Sequence, residues 1–186
     1  VYALANGRIS RKEERSWGFG NTLVLEFPGP DPDKDDAMTT FSAGYAHLGQ
    51  MLVEDGQAVA KGQLIAYSGQ TGFATAAHLH FQIDRPEAPF HLYWPFTTTE
   101  ATEEGLSFVD AVNSGLGRQE AYRYTVDPLA YVHRYGNGEG AAVYLAQVDS
   151  GGNQGDPQVE ILPSRESPKK TIAEKLSPKE VWKLLR

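Results

Sequence analysis

The sequence predicts a β-rich domain with short helices confined to its second half. Residues 22–27, 39–48 and 78–83 alternate apolar and polar positions with the two-residue period of a strand. Before and between these runs lie stretches punctuated by Gly, Pro and Asp, at residues 17–21, 28–38 and 51–69. Helix-start signals appear only later, at Ser107 and again at Ser177-Pro178 with Glu180 three residues after the cap.

Taken in order, residues 1–10 read as two short strands around Asn6-Gly7, a pair suited to a tight hairpin turn. Residues 11–16 are charged and read as a solvated loop. A Gly-rich turn over 17–21 leads into the strand 22–27, with Leu23, Leu25 and Phe27 on one face and Glu26 on the other. Residues 28–38 read as a hairpin tip. Asp31, Asp33 and Asp35 invite a calcium reading there. The EF-hand template wants Gly at its sixth position and Glu at its twelfth, where this sequence has Asp36 and Ser42, so a solvated tip is the better reading.

In the strand 39–48, strict alternation puts Phe41, Ala43, Tyr45 and His47 on one face, which by itself makes His47 a packed core residue. Residues 51–69 read as short strands joined by Gly turns. In the run 78–83, His78, His80 and Gln82 share one face, and Leu79, Phe81 and Ile83 share the core face. Same-face Cα atoms on a strand lie about 6.6 Å apart, close enough for two imidazoles to serve one site.

Residues 84–96 are dense in Pro and aromatics and read as an ordered loop walling one side of a groove, with Trp94 in the wall and His91 as a surface or packing residue. Residues 97–104 read as polar linker. Residues 107–116 read as an amphipathic helix whose Phe108, Val109, Val112 and Leu116 face a core. Residues 122–135 read as a strand entering a short helix near Pro128, with His133 exposed. The division expected is a β domain over 1–148 (core 1–96, extension 97–148, including a last strand at 141–148). A flexible linker over 149–176 and a C-terminal helix over 177–186 follow.

At 186 residues with 40% hydrophobic composition, the chain is long enough for one well-buried domain. No apolar run approaches the roughly 20 residues of a membrane span. A net charge of −7 argues against a nucleic-acid partner. Zero cysteines exclude disulfides, thiolate zinc sites and a Cys nucleophile. No secretory leader is read at Val1.

Three segments carry a resemblance. Tyr45-Ala46-His47-Leu48 is followed by a block with Gly56, Val59, Gly62, Ile65, Gly69, Thr71 and Gly72 at fixed offsets, and then by His78-Leu79-His80-Phe81. In this order and spacing they resemble the lysostaphin-type zinc metalloendopeptidases, which cut peptide bonds in bacterial peptidoglycan. The likeness runs from Val1 to about Ile83, with a weaker echo at Val126-Asp127-Pro128-Leu129. The Gly-rich block also resembles a biotinyl or lipoyl carrier barrel, but Lys61 beside Gly62 does not make that family's Met-Lys tip.

The resemblance implies a mostly β fold, an antiparallel sheet of barrel-sandwich-like, duplicated-hybrid-motif type with an open groove and a few short C-terminal helices. It also implies a zinc ion held by a His-x-x-x-Asp pair and by the second histidine of His-x-His, which His80 matches. His78 and His47 match the two catalytic histidines that are not ligands. The expected partner is a peptidoglycan peptide, and the expected location is extracytoplasmic, in the cell envelope or secreted.

The His-x-x-x-Asp pair has no match. His47, His78, His91 and His133 are followed four residues on by Met51, Gln82, Pro95 and Asn137. Only His80 has an aspartate there, Asp84, and on one strand the two are about 13 Å apart, too far to share a metal. The expectation is a zinc endopeptidase whose first ligands lie upstream of Val1. The alternative is a metal-free member of the same fold that binds the cell wall or activates amidases.

Overall fold

The computed structural model describes residues 1–136. The strand expected at 141–148, the linker at 149–176 and the helix at 177–186 lie outside the described residues. The elements are β1 (Gly7–Glu13), β2 (Asn21–Pro30), β3 (Met38–Met51), β4 (Ala58–Val59), β5 (Ala66–Ser68) and β6 (His80–Asp84), then α1 (Thr98–Glu103), α2 (Phe108–Ser114) and α3 (Arg118–Tyr124), and finally β7 (Thr125–Val126) and α4 (Pro128–Tyr135). The strands form one seven-stranded sheet in the order β4-β1-β2-β3-β6-β7, with β5 also paired to β3. All the ladders are antiparallel, as expected.

One face of this sheet is the core. Leu23, Leu25 and Phe27 of β2 sit opposite Tyr45, Ala43 and Phe41 of β3, and Ile83 of β6 lies opposite Ala43. All seven are buried in one apolar cluster. Tyr131 of α4 closes over Phe27 and Phe41, with ring centroids 6.0 and 5.4 Å away. Asp127 caps α4 by accepting from the amides of Leu129 and Ala130, and Pro128 at its first position has no amide to satisfy.

Several expectations are corrected. Asn6-Gly7 closes no hairpin: Tyr2 bridges to Leu64, and β1 pairs with β2 and β4 instead. The charged residues Arg11, Lys12 and Glu13 are strand rather than loop. Beyond the two residues paired with β4 the edge is covered by the turn before β4: the Lys12 amide bonds the Asp55 carboxylate and Lys12 Nζ bonds Glu54 at 2.7 Å. Residues 98–103 form α1 rather than linker, because Thr97 and Glu100 make a reciprocal capping box. The apolar stripe of α2 is mostly outside the core. Ala111 is buried, whereas Phe108, Val109 and Val112 are exposed around a small cluster of Phe96, Ala101 and Ala111.

The acidic tip between β2 and β3 is a clasp. Asp31 is fully buried, and Arg85 Nη1 donates to its Oδ1 at 2.8 Å while Nη2 bonds Asp33. Burial opposes the charge on Asp31, but the Asp33 amide, Arg85 and Lys34 outweigh it and hold the carboxyl below its ordinary value. Asp31 and Asp33 therefore serve a guanidinium rather than a metal ion.

Candidate active site

The second face of the sheet carries the polar residues. In the β3–β6 ladder, Ala46, Gly44 and Ser42 lie opposite His80, Gln82 and Asp84. Gly44 leaves room for Leu92 of the 85–97 segment, which packs where a Cβ would stand. β6 begins at His80, so His78 precedes the strand and makes a single bridge to Gly69. Leu79, expected in the core, is consequently half-exposed.

His47 reaches this face through a β-bulge. Asn21 pairs with Leu48 and Leu23 with Tyr45, so β3 spends one more residue than β2 over the same interval. The extra residue adopts a left-handed backbone, with φ 57° at His47, and its amide donates to Phe19 O at 2.9 Å. The bulge turns His47 off the face of Phe41, Ala43 and Tyr45, while Leu48 returns to the core. Strict alternation, which assigned His47 to the core face, is corrected here. His47 is nevertheless buried, enclosed by its neighbours on the polar face.

A latch holds the bulge. Thr71 Oγ1 donates to Leu48 O at 2.8 Å and accepts from Asn21 N at 2.9 Å. Gly20 and Gly72 both have positive φ and approach so closely that a Cβ on either would strike the other loop's backbone. This docking of residues 18–20 against 71–73 brings Phe19 over His80, with centroids 5.1 Å apart.

Three imidazoles converge as a result. The His47 ring centroid is 4.7 Å from that of His78 and 6.0 Å from that of His80. Their hydrogen bonds fix their tautomers, because a carbonyl oxygen only accepts. His47 Nδ1 donates to Thr71 O at 2.9 Å, and His78 Nδ1 donates to Ala76 O at 2.9 Å. In the neutral form, each therefore carries its lone pair on Nε2.

His80 is set the other way round. The Gln82 amide nitrogen donates to Asp84 Oδ1 at 2.5 Å and to Tyr93 O at 3.1 Å, so its carbonyl must face His80. His80 Nε2 donates to that carbonyl at 2.7 Å, leaving the lone pair on Nδ1. Burial pushes the His80 imidazole below its ordinary pKa, against the opposing effect of the Gln82 bond, and the adjacent His47 and His78 add to the depression. The neutral, lone-pair-bearing form is the favoured one.

Sequence reasoning missed the support behind His80. Asp84 is fully buried and accepts from Gln82, from the Tyr93 amide at 2.9 Å and from His91 Nδ1 at 3.1 Å. The continuing period of His80, Gln82 and Asp84 carried the signal, but Gln82 read only as a residue of the histidine face and Asp84 as the start of the loop 84–96. Asp84 is linked to His80 through Gln82, in agreement with its being too distant to share a metal. Trp94 packs against Phe19 with ring centroids 5.8 Å apart and stacks on Phe108 at 5.7 Å.

The fit to zinc is partial. His80 Nδ1 is the chemistry of a ligand, a neutral imidazole whose other nitrogen is held by hydrogen bonding. A zinc centre takes three or four protein ligands. Among the described residues, no group of three or more His, Cys, Asp or Glu side chains is placed to hold a metal ion.

Comparison with known proteins gives a consistent result. Peptidase family M23 matches residues 1–91. Lipoprotein NlpD of Yersinia enterocolitica is 32% identical over 83 residues, which are 45% of this chain and 74% of that protein. Peptidoglycan DD-endopeptidase ShyA of Vibrio cholerae is 33% identical over 127 residues, 65% of this chain and 27% of that protein. The chain spans about a quarter of the length of the first relatives it matches. The catalytic domain of the antimicrobial peptidase lysostaphin from Staphylococcus simulans aligns at 35% identity and a TM-score of 0.36, covering 45% of this chain and 56% of that one.

Proposed function

We propose that this chain, which belongs to peptidase family M23, carries the histidine wall of a peptidoglycan endopeptidase acting outside the cytoplasm. The observation that supports this best is the convergence of His47, His78 and His80 with fixed, complementary tautomers on the polar face of the sheet. His47 and His78 present Nε2 lone pairs. Either can take a proton from an attacking water, return it to the departing amine and, once charged, stabilise the oxyanion between them. His80 is the residue we assign to zinc, through Nδ1, and a complete zinc centre needs ligands beyond the described residues. Phe19 and Trp94 shield the cluster from water on one side. Among the described residues no helix is long and apolar enough to cross a membrane.

The test is release of new amino termini from purified cross-linked peptidoglycan by the 186-residue chain, with zinc added and with a chelator. Release with zinc that falls about 10²-fold or more in both His78→Ala and His47→Ala supports the assignment. The lack of a three-ligand group among the described residues favours a second reading, a metal-free module that binds the wall without cutting it. Retention on the same polymer that is indifferent to chelator, with no release, selects that second reading.

A further inference from the structure

The polar face continues past the histidines. Beyond Phe19 and Leu92, a cavity of about 270 Å³ opens between β1 and the 85–97 segment. Arg11 and Glu13 of β1, opposite Val24 and Thr22 of β2 in the ladder, line it. Arg15, Trp17, Phe90 and His91 also line it. Because Phe19 lines this cavity and also packs on His80, the cavity adjoins the candidate active site.

Its charges are unequally matched. Glu13 Oε1 is taken by Arg15 Nη2 at 2.7 Å. Glu13 Oε2 lies 3.9 Å from Arg11 Nε, too long for a hydrogen bond. Arg11 Nε is enclosed and has no hydrogen-bond partner among the described residues. Two guanidinium groups thus share one carboxylate. The Arg15 guanidinium sits 5.0 Å above the Trp17 ring. Trp17 and Phe90 are 60% and 51% exposed, so the aromatic walls lack a covering surface.

Two guanidinium groups with a single carboxylate between them, beside exposed aromatic rings, suit a further carboxylate carried on a short apolar stem. The volume is that of one residue rather than of a larger ligand. We propose that this cavity is a subsite for a carboxylate-bearing residue of the peptide substrate, flanking the bond presented to His47 and His78, with Arg11 as its principal recognition residue. This rests on the peptide-hydrolase reading above, and it concerns binding rather than cleavage.

The test therefore reads binding without turnover. A cross-linked peptide fragment from peptidoglycan is used in three forms: carboxylates free, side-chain carboxylates amidated, and all carboxylates amidated. Each is titrated into the ¹⁵N-labelled chain without added metal, following the Trp17 indole and Arg11 Nε–H signals. The free form should perturb both signals and bind about tenfold more tightly than the fully amidated form. The form with only side chains amidated tells a side-chain carboxylate from a terminal one. Arg11→Gln should abolish the tenfold preference while leaving weak binding. Arg15→Gln, on an exposed segment, should reduce it and serves if Arg11→Gln does not fold.

Equal binding of free and fully amidated forms, an undiminished preference in both variants, or no response at Trp17 and Arg11 would each overturn the subsite. Perturbation of the His47 and His78 rings alone would do so too, while sparing the hydrolase reading. Perturbation at Trp17 and Arg11 in a chain that never releases amino termini would keep the subsite and remove the hydrolase.

Discussion

On one face of the sheet, Leu23, Leu25 and Phe27 meet Tyr45, Ala43 and Phe41 across β2 and β3. On the other, Ala46, Gly44 and Ser42 of β3 lie opposite His80, Gln82 and Asp84 of β6. The apolar face is held by contact area, which has no direction, and each fully buried Leu or Phe side chain contributes about 1.5–3 kcal/mol. The polar face is held by directed bonds, each with a specific donor and acceptor. His80, Gln82, Asp84 and Tyr93 form one connected set. One face can lose a contact and settle, whereas the other loses an orientation when a single atom changes.

The largest effect expected from this difference is on the apolar face. Phe41 is fully buried between Phe27 and Tyr131. Phe41→Ala should lower stability by about 3–5 kcal/mol in urea unfolding, because the cavity between two aromatic rings closes only partly. The ring signals of His47, His78 and His80 should remain native in the fraction still folded. A loss below about 1 kcal/mol, or a histidine cluster that rearranges first, would mean that the two faces are not separately held.

The apolar face is also the one that could be read from the sequence. Alternation located Leu23, Leu25 and Phe27, and Phe41, Ala43 and Tyr45, because burial enforces a two-residue period wherever one face is dry. Ser107 and Pro128 marked helix starts that stand where expected, with Gly115 left-handed at the end of α2. α3 was missed because its cap, Gly117, offers no side-chain signal. On the polar face, alternation failed at His47, where one inserted residue and a bond to Phe19 O reverse the side chain. The family motifs singled out His47, His78 and His80. Gln82 and Asp84 stayed hidden because their importance lies in bonds to Tyr93 and His91, which only the folded 85–97 segment supplies.

An intermediate effect is expected where directed bonds are cut without removing bulk. Gln82→Leu keeps the volume near β6 but strips His80 Nε2 of its acceptor and Asp84 Oδ1 of its donor. Leaving those groups unmatched should cost about 1–3 kcal/mol. The more telling readout is the ¹⁵N spectrum of His80, which should change from one tautomer to a mixture. Gln82→Glu separates orientation from packing: a carboxylate still accepts from His80 but repels Asp84, so it should keep the His80 tautomer while losing stability. A single His80 tautomer in Gln82→Leu would show that the Gln82–Asp84 set does not orient the imidazole.

The smallest effect concerns the bulge itself. His47 holds φ at 57°, a backbone region that strains residues with a Cβ, and its ring bonds Thr71 O. Both His47→Ala and His47→Gly delete that bond and the ring, so the difference between them isolates the backbone. Gly enters the left-handed region without penalty, although it loses more freedom on folding. If the bulge stays in place, His47→Gly should be more stable than His47→Ala by about 1 kcal/mol in paired urea titrations. If strict alternation is restored once the histidine is gone, the order reverses, because Ala is better suited than Gly to an ordinary strand. The sign of that small difference reports whether the bulge belongs to the latch of Thr71, Gly20 and Gly72 or to the histidine it turns.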